Sequence, residues 1–561
     1  MKKHITRLLF AALLLLALCI GASAAGTSGK CGPSAYWSFD SSTGTLTISG
    51  SGAMNDYEYG DYPWMDYRNS IQTIVIGDQI TQIGRYAFTG TACSTIKFGK
   101  NVRSIGERAF LECRNLNGDL TLPDSVQTIG AGAFQGCEKL SGDLTIPDSV
   151  VEIGEGAFRD CKNLNGTLTL GKNLRTIGKK AFSGCAFTGS LTIPEGITEI
   201  AIGTFSSSRS SGMFTGKLTL PSTLKTIGAS AFSYTDFSGE LLIPDGVTSI
   251  GANAFKECDG FGGTLSLPDS VKTVGEWAFY LCKGFTVLKL SAGLTKIEKL
   301  SFAHMYGLRT EVVIPEGVTE IGESAFQCSH MPSVRFPSTL KKIGKEAFYF
   351  SLNCKIAFPD GLEVIEDEAF ALCNVKSAVI LPASIKSIGK KAFDSDWSYG
   401  KHNDIPLGAY FLGAAPQLVG TGNANCSFPS DWTLNYLPGT SGWMGDTYEG
   451  YKIVPWDGET RWDNLYTDDF GYRDNKWNKI ETSWSVNTDT GKITLTDDLN
   501  EGCAVAVSYD TDGRVTSIGV LRTKTDFVVL NLQDTCRLFL LNASSAPRLN
   551  TPVTINDYLP T

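Results

Sequence analysis

Seven cysteines, Cys113, Cys137, Cys161, Cys185, Cys258, Cys282 and Cys373, each stand three residues after a phenylalanine. Thiols in a regular series suggest either a ladder of metal ligands or serial disulfides. Equivalent positions of a repeating chain, however, point their side chains in parallel rather than at each other, and Met305 and Ser351 take the same place elsewhere. A small buried hydrophobe fits the column better. No CxxC pair is present, and His4, His304, His330 and His402 are scattered without zinc-ligand spacing. Cys503 and Cys536, near the C-terminal end, form the one pair that suggests a disulfide in an oxidising compartment.

A second column pairs proline with an acid, at Pro123-Asp124, Pro147-Asp148, Pro194-Glu195, Pro244-Asp245, Pro268-Asp269, Pro315-Glu316 and Pro359-Asp360. A row of carboxylates suggests calcium, but the same dipeptides are ordinary turn formers where a chain leaves a strand, and turn chemistry is the expectation. Asp510-Thr-Asp-Gly513 resembles a calcium loop until its register is counted. With Gly513 as the loop glycine, Ser508 and Gly519 fall where carboxylates belong, so a hairpin turn is expected. No GxSxG, HExxH, phosphate loop or Cys-His pairing occurs, and a shallow repeat surface offers no cleft to a pair of catalytic carboxylates. The expectation is a protein without catalytic residues, metal or cofactor.

These columns exist because the chain repeats. IGAGAFQGC at Ile129 to Cys137 returns as IGEGAFRDC at Ile153 to Cys161, and the phenylalanine of that phrase recurs at 88, 110, 134, 158, 182, 205, 232, 255, 279, 302, 326, 348, 370 and 393. The spacing is mostly 22 to 24 residues. Between the copies lies an alternating strand, often opened by glycine and closed by proline, as at Leu120/Leu122, Leu144/Ile146, Leu168/Leu170, Leu191/Ile193, Leu218/Leu220, Leu241/Ile243 and Leu265/Leu267. One repeat is too small to offset its own ordering cost, so the copies must stack, with strands pairing in parallel at about 4.8 Å over something like 65 Å. The Ala-Phe pair is expected in a tight turn or single helical turn, its ring filling the space behind the strands. The outward residues of the strands then form a third column: Lys97, Thr121, Thr145, Thr169, Thr192, Thr219, Leu242, Ser266, Lys289, Val313 and Arg335. Threonine suits a half-exposed strand for its own sake. The strip's size also suits a recognition face for a large partner, carried by Lys97, Thr121, Thr145, Thr169, Thr192, Thr219, Ser266, Lys289 and Arg335.

With 42% hydrophobic and 19% charged residues over 561, the chain can bury a large core. Its net charge of −9 and lack of a basic stripe exclude nucleic acid and anionic lipid as expected partners. Met1 to Gly21 is basic and then apolar, followed by Ala22-Ser23-Ala24, the pattern of a secretory signal peptide. Cys19 raises a lipid anchor, disfavoured by the bulky Leu18 before it. No later stretch has the length and apolarity of a membrane span, and Leu437-Pro438-Gly439-Thr440 lacks the tail of a sortase signal.

The period, the strand LxIP and the phrase SVxxIGxxAFxxC together resemble the BspA-like leucine-rich repeat family of bacterial secreted and cell-surface proteins, over residues 71 to 400. YWSFDSSTGTLTISGSGAM, Tyr36 to Met54, resembles the hairpin that precedes the repeats in that family. The resemblance implies an α/β, β-rich leucine-rich repeat solenoid with a parallel β-ladder, exposed outside the cell and meeting host-protein or cell-surface partners. Ile200 to Phe205 and Ile297 to Phe302 depart from the pattern.

After Phe393 the repeats decay and Trp397, Trp432, Trp443, Trp456, Trp462, Trp477 and Trp484 crowd together, a composition that suits either an aromatic end cap or a carbohydrate site. Short alternating runs from about Gly458 suggest a small all-β sandwich. The expected organisation is a signal peptide at 1–24, an N-terminal hairpin cap at 25–70, about fourteen repeats at 71–400, a degenerate final coil at 401–457 and an accessory sandwich at 458–561. The expected role is adhesion or recognition of a protein or cell-surface ligand. A carbohydrate-binding role for the aromatic C-terminal region and a structural envelope role are the alternatives.

Overall fold

The computed structural model describes residues 27–207, 213–351, 356–373, 379–394, 408–419, 427–429 and 432–455, and the backbone of seven strands between 484 and 554. It divides into two units, 1–237 and 238–561.

The first unit opens with antiparallel strands Ser28–Lys30, Ser34–Asp40 and Thr45–Ala53. The last of these seeds two parallel ladders. Its first half pairs with Thr73–Ile76, while Gly52 and Ala53 pair with Ile80–Ile83. The ladder expected from the LxI phrase continues at Thr95–Lys97 and returns as two-stranded pieces, Leu144–Thr145 with Leu168–Thr169 and Leu191–Thr192 with Leu218–Thr219. The other ladder uses the two residues before the glycine of each IG phrase. It runs unbroken through Ile80–Ile83, Ser104–Ile105, Thr128–Ile129, Glu152–Ile153 and Thr176–Ile177.

The second unit repeats this plan. Gly263–Ser266 pairs with Phe285–Lys289, and Val312–Val313 with Val334–Arg335. The other ladder runs from Lys296–Ile297 through Glu320–Ile321, Lys342–Ile343, Val364–Ile365 and Ser387–Ile388 to Gln417–Leu418. Val379–Leu381, Gly408–Phe411, Thr433–Tyr436 and Tyr451–Pro455 stack in parallel after the repeats decay. Thr447–Tyr448 then folds back antiparallel on Tyr451–Pro455 through Glu449 and Gly450, both at positive φ, so a two-residue hairpin covers the last edge.

Three expectations are corrected, the last of them in the C-terminal strands. The α/β assignment fails because the Ala-Phe segments are not helical; the described helix is a single 3-10 turn, Met65–Tyr67. In their place, the residue two before each phenylalanine is left-handed, as at Tyr86, Arg108, Gly132, Gly156 and Lys180. The alternation aims backbone groups at the next coil: the Phe110 N–H donates to the Ala133 carbonyl at 2.8 Å, and Phe134 to Ala157 at 2.7 Å. The strand expected at Leu120/Leu122 does not form; Gly118 makes an isolated bridge to Leu140 where the coil length changes from 22 to 24 residues, and Leu242 likewise makes only a bridge to Ser266.

Leucines of one ladder, isoleucines of the other and the phenylalanines meet in the interior, nearly all of them without solvent contact. In the first unit the rings from Phe110 to Phe232 stack 5.1 to 5.6 Å apart with planes within 8°. Trp64 starts the column, 5.4 Å from Phe88, with its indole N–H on the Ala87 carbonyl at 2.9 Å. In the second unit the stack runs from Phe255 to Phe393, continues to Phe428 at 5.2 Å and ends under Trp432 at 5.5 Å.

The strands after 484 form two antiparallel sheets, one of Trp484–Asn487, Lys492–Leu495 and Phe527–Val529, the other of Cys503–Tyr509, Val515–Leu521, Thr535–Leu541 and Val553–Thr554. Their register separates the expected disulfide. Cys503 faces Leu541 while Cys536 faces Ser508, five residues further along the strand. At about 3.4 Å per residue that is about 17 Å, well past the roughly 7 Å between Cα atoms that a disulfide spans.

Candidate functional site

Lys97, Thr121, Thr145, Thr169, Thr192, Thr219, Ser266, Lys289 and Arg335 are all exposed, each beside a buried or half-buried residue of the same segment. The register sets Thr145 beside Thr169, Thr192 beside Thr219, and Ser266 beside Lys289. Thr121 is exposed but stands outside a strand. From Thr121 to Thr219 the first unit's face is thus a neutral hydroxyl row, with the exposed Lys97 at its start. In the second unit Leu242, 60% exposed, and Val313, 46% exposed, alternate with Lys289 and Arg335, the last paired to Glu311 at 2.7 Å.

The cysteine column is buried and free of disulfides. Its thiols do more than fill space. Cys113, Cys137, Cys161, Cys185, Cys282 and Cys373 each donate to the phenylalanine carbonyl of the preceding coil, at 2.9 to 3.2 Å. Ser329 makes the same bond to Phe302 at 2.7 Å, and Ser351 bonds Phe326. Burial pushes the Cys113, Cys137, Cys161 and Cys282 thiols above the ordinary value, so they stay protonated donors.

The proline-acid column joins coils as well as turning them. Asp148 accepts from the Lys172 backbone N–H at 3.0 Å, and Asp269 from Ala292 at 3.1 Å. Glu195 takes the backbone N–H and hydroxyl of Ser222, and Glu316 those of Ser338. The Lys172 ammonium and N–H hold Asp148 below the usual carboxylate range, and Ser222 does the same for Glu195. Among the described residues no three His, Cys, Asp or Glu side chains gather as a metal site.

Trp432 and Trp443 are 5% and 8% exposed and pack as the end of the core, the Trp443 indole bonded to the Gly413 carbonyl at 3.1 Å. Trp397, Trp456, Trp462 and Trp477 lie outside the described residues, as does the expected signal peptide; the Trp484 side chain is likewise undescribed. No helix among the described residues is long and apolar enough to cross a membrane.

One cluster was not legible from spacing. On the Ala-Phe side of the second unit, Trp277, Tyr280, His304, Tyr306, His330 and Phe350 form a half-exposed ridge, neighbouring rings 4.6 to 5.5 Å apart. His304 Nδ1 is 2.6 Å from the Tyr306 hydroxyl. Histidines 26 residues apart fit no ligand motif, yet stacked coils bring both against one tyrosine.

Parallel two-ladder coils around a stacked phenylalanine core, with buried leucines behind an exposed strand row, define a leucine-rich repeat solenoid. The BspA type leucine rich repeat region matches in 6 copies, over residues 64–142, 141–262, 212–327, 263–356 and 288–399, more than half of the chain. The chain belongs to the BspA type leucine-rich repeat family. Among solved structures it is similar to a leucine-rich repeat protein from Bacteroides ovatus, with 22% identity, 67% of this chain and 93% of that one covered, and a TM-score of 0.46. A leucine rich cell surface protein from Faecalibacterium prausnitzii is similar at 24% identity, covering 58% of this chain and 93% of that one, with a TM-score of 0.35. No curated protein matches the chain.

Proposed function

We propose that the chain is a secreted or cell-surface recognition protein without catalytic activity, whose exposed strand row binds a protein partner. The carrying observation is the register of Thr145 on Thr169 and of Thr192 on Thr219: exposed hydroxyls in a row on buried leucines. Among the described residues none of these four hydroxyls has a protein partner. A rigid, shallow row of this kind suits a large surface better than a small molecule. Family membership supports an extracellular setting, and the expected leader at 1–24 agrees with it. The division into a cap at 25–70, repeats at 71–400, a final coil at 401–457 and a sandwich-like accessory domain at 458–561 belongs to the same reading.

The test is binding of residues 25–561 to arrays of extracellular-matrix proteins, with Thr145→Glu plus Thr169→Glu as the probe. Saturable binding to a matrix protein that the double variant loses, with unchanged circular dichroism, supports the strand row. Binding retained by the double variant sinks it.

A further inference from the structure

The ring ridge of the second unit differs in chemistry from the strand row. Trp277 lies two residues before its phenylalanine, Tyr280 one after, His304 and Phe350 two after, and Tyr306 and His330 four after, so the rings come from four positions of successive coils. Each ring is clamped by the next: Trp277 and Tyr280 at 4.6 Å, Tyr280 and His304 at 5.1 Å, Tyr306 and His330 at 5.4 Å, His330 and Phe350 at 5.4 Å. Clamping fixes rotamers before a ligand arrives, which lowers the entropy lost on binding. Lys256 Nζ caps one end, 5.0 Å from the Trp277 ring centre.

Three features narrow the ligand. Every ring but Phe350 carries a polar atom on its rim, so the ridge offers apolar faces edged by hydrogen-bonding groups. Burial, with His330 and Lys283 nearby, lowers the pKa of His304, keeping a neutral imidazole that both donates and accepts, as hydroxyl groups do. The border is charge-matched: Lys283 pairs with Asp259 at 2.6 Å, Lys299 with Glu323 at 2.8 Å and Lys345 with Glu346 at 3.3 Å. A field without net sign does not select a polyanion or a charged peptide. The ridge crosses four coils, about 14 Å at about 4.8 Å per step, and has the proportions of a linear chain.

We propose that the ridge from Trp277 to Phe350 binds a neutral polysaccharide chain, the sugar faces lying on the rings and the hydroxyls meeting His304, Tyr306 and His330. This site stands apart from the proposed strand row.

The experiment is native affinity electrophoresis of residues 25–561 in gels holding laminarin, xyloglucan, glucomannan or amylopectin, with polygalacturonate and heparin as charged controls. At least one neutral polymer is expected to retard the protein. Trp277→Gly with His304→Gly should weaken that retardation at least about tenfold, while Thr145→Glu with Thr169→Glu leaves it unchanged. Both glycine substitutions fall at left-handed positions that Gly132, Gly156, Gly136 and Gly184 occupy in other coils, so the fold accommodates them. The exposed, left-handed His330→Gly serves as the second variant should the pair fail to fold. No retardation by any of the four neutral polymers, retardation by charged polymers alone, or full retardation of the glycine variants would overturn the assignment. So would a matrix protein, rather than a polysaccharide, whose binding depends on these rings.

Discussion

The Cys137 thiol donates to the Phe110 carbonyl of the preceding coil at 3.2 Å. Both groups are buried, and the same bond recurs along the column with serine in place of cysteine at Ser329. A hydroxyl therefore replaces the donor, while the one described coil with a larger apolar residue, Met305, fills the volume instead. Cys137→Ser should cost less than about 1 kcal/mol, whereas Cys137→Ala, losing a buried bond and opening a small cavity, should cost about 1–2 kcal/mol. Urea unfolding of the two variants checks the order; alanine proving the milder change would refute the donor role.

The same burial predicts selective thiol chemistry. Burial raises the Cys137, Cys161, Cys282 and Cys328 thiols alike, but it removes the first three from solvent and leaves Cys328 partly exposed. Brief maleimide treatment at mild alkaline pH, read by peptide mass spectrometry, should modify Cys328 before any of Cys113, Cys137, Cys161 or Cys185. Equal labelling of column and Cys328 in the folded protein would contradict the packing.

How far the sequence could be read follows from how each signal is built. The phenylalanine column and LxI strands carry repeating bulky residues, and the period alone implies stacking. The second ladder escaped because most rungs hold one buried aliphatic residue beside one polar residue, as at Glu152–Ile153, too short for alternation to register. Cys137 looked like a filler because its partner is a backbone carbonyl, invisible in side-chain spacing. The ring ridge escaped for a different reason. Its members are spread over four positions of the coil, with at most two rings at any one of them, so no column stands out and only the stacking geometry assembles them.

Stability should fall in acid through the turn carboxylates. Asp78, Asp148 and Glu195 each accept a backbone N–H from the next coil and have pKa values lowered by it, joined for Asp148 by the Lys172 ammonium. A carboxylate with a depressed folded value contributes stability that is fully present above its unfolded value, about 4. That contribution is lost as pH falls through the folded value. The thermal midpoint should be flat from pH 7 to about 5 and decline below about 4. Asp148→Ala and Glu195→Ala together should lower the neutral midpoint and shallow the acid decline; an unchanged slope would remove these groups as its cause.

Gly154 and Gly156 lie two residues from each other and are glycine for different reasons. A Cβ on Gly154 would stand 2.4 Å from the Ala131 nitrogen of the preceding coil, because the Gly154 N–H donates to the Ile129 carbonyl at 2.8 Å and draws the backbones together. A Cβ on Gly156 would meet only side-chain atoms, the nearest at 3.6 Å, but its φ is +60°. The first substitution must push neighbouring coils away from each other; the second bears only local backbone strain, which Lys180 bears at the equivalent place. Gly154→Ala should therefore cost about 2–3 kcal/mol and Gly156→Ala about 1 kcal/mol. Ala201, Glu298 and Glu366 occupy the Gly154 position in other coils, and Glu366 keeps the equivalent bond to the Ile343 carbonyl at 2.9 Å, so the prediction is specific to the surroundings of Gly154. Hydrogen exchange separates the mechanisms: Gly154→Ala should speed exchange of the Gly154 and Gly178 amides on its own ladder, while Gly156→Ala should leave them slow. Equal exchange in both variants would show that coil spacing is not what the first glycine sets.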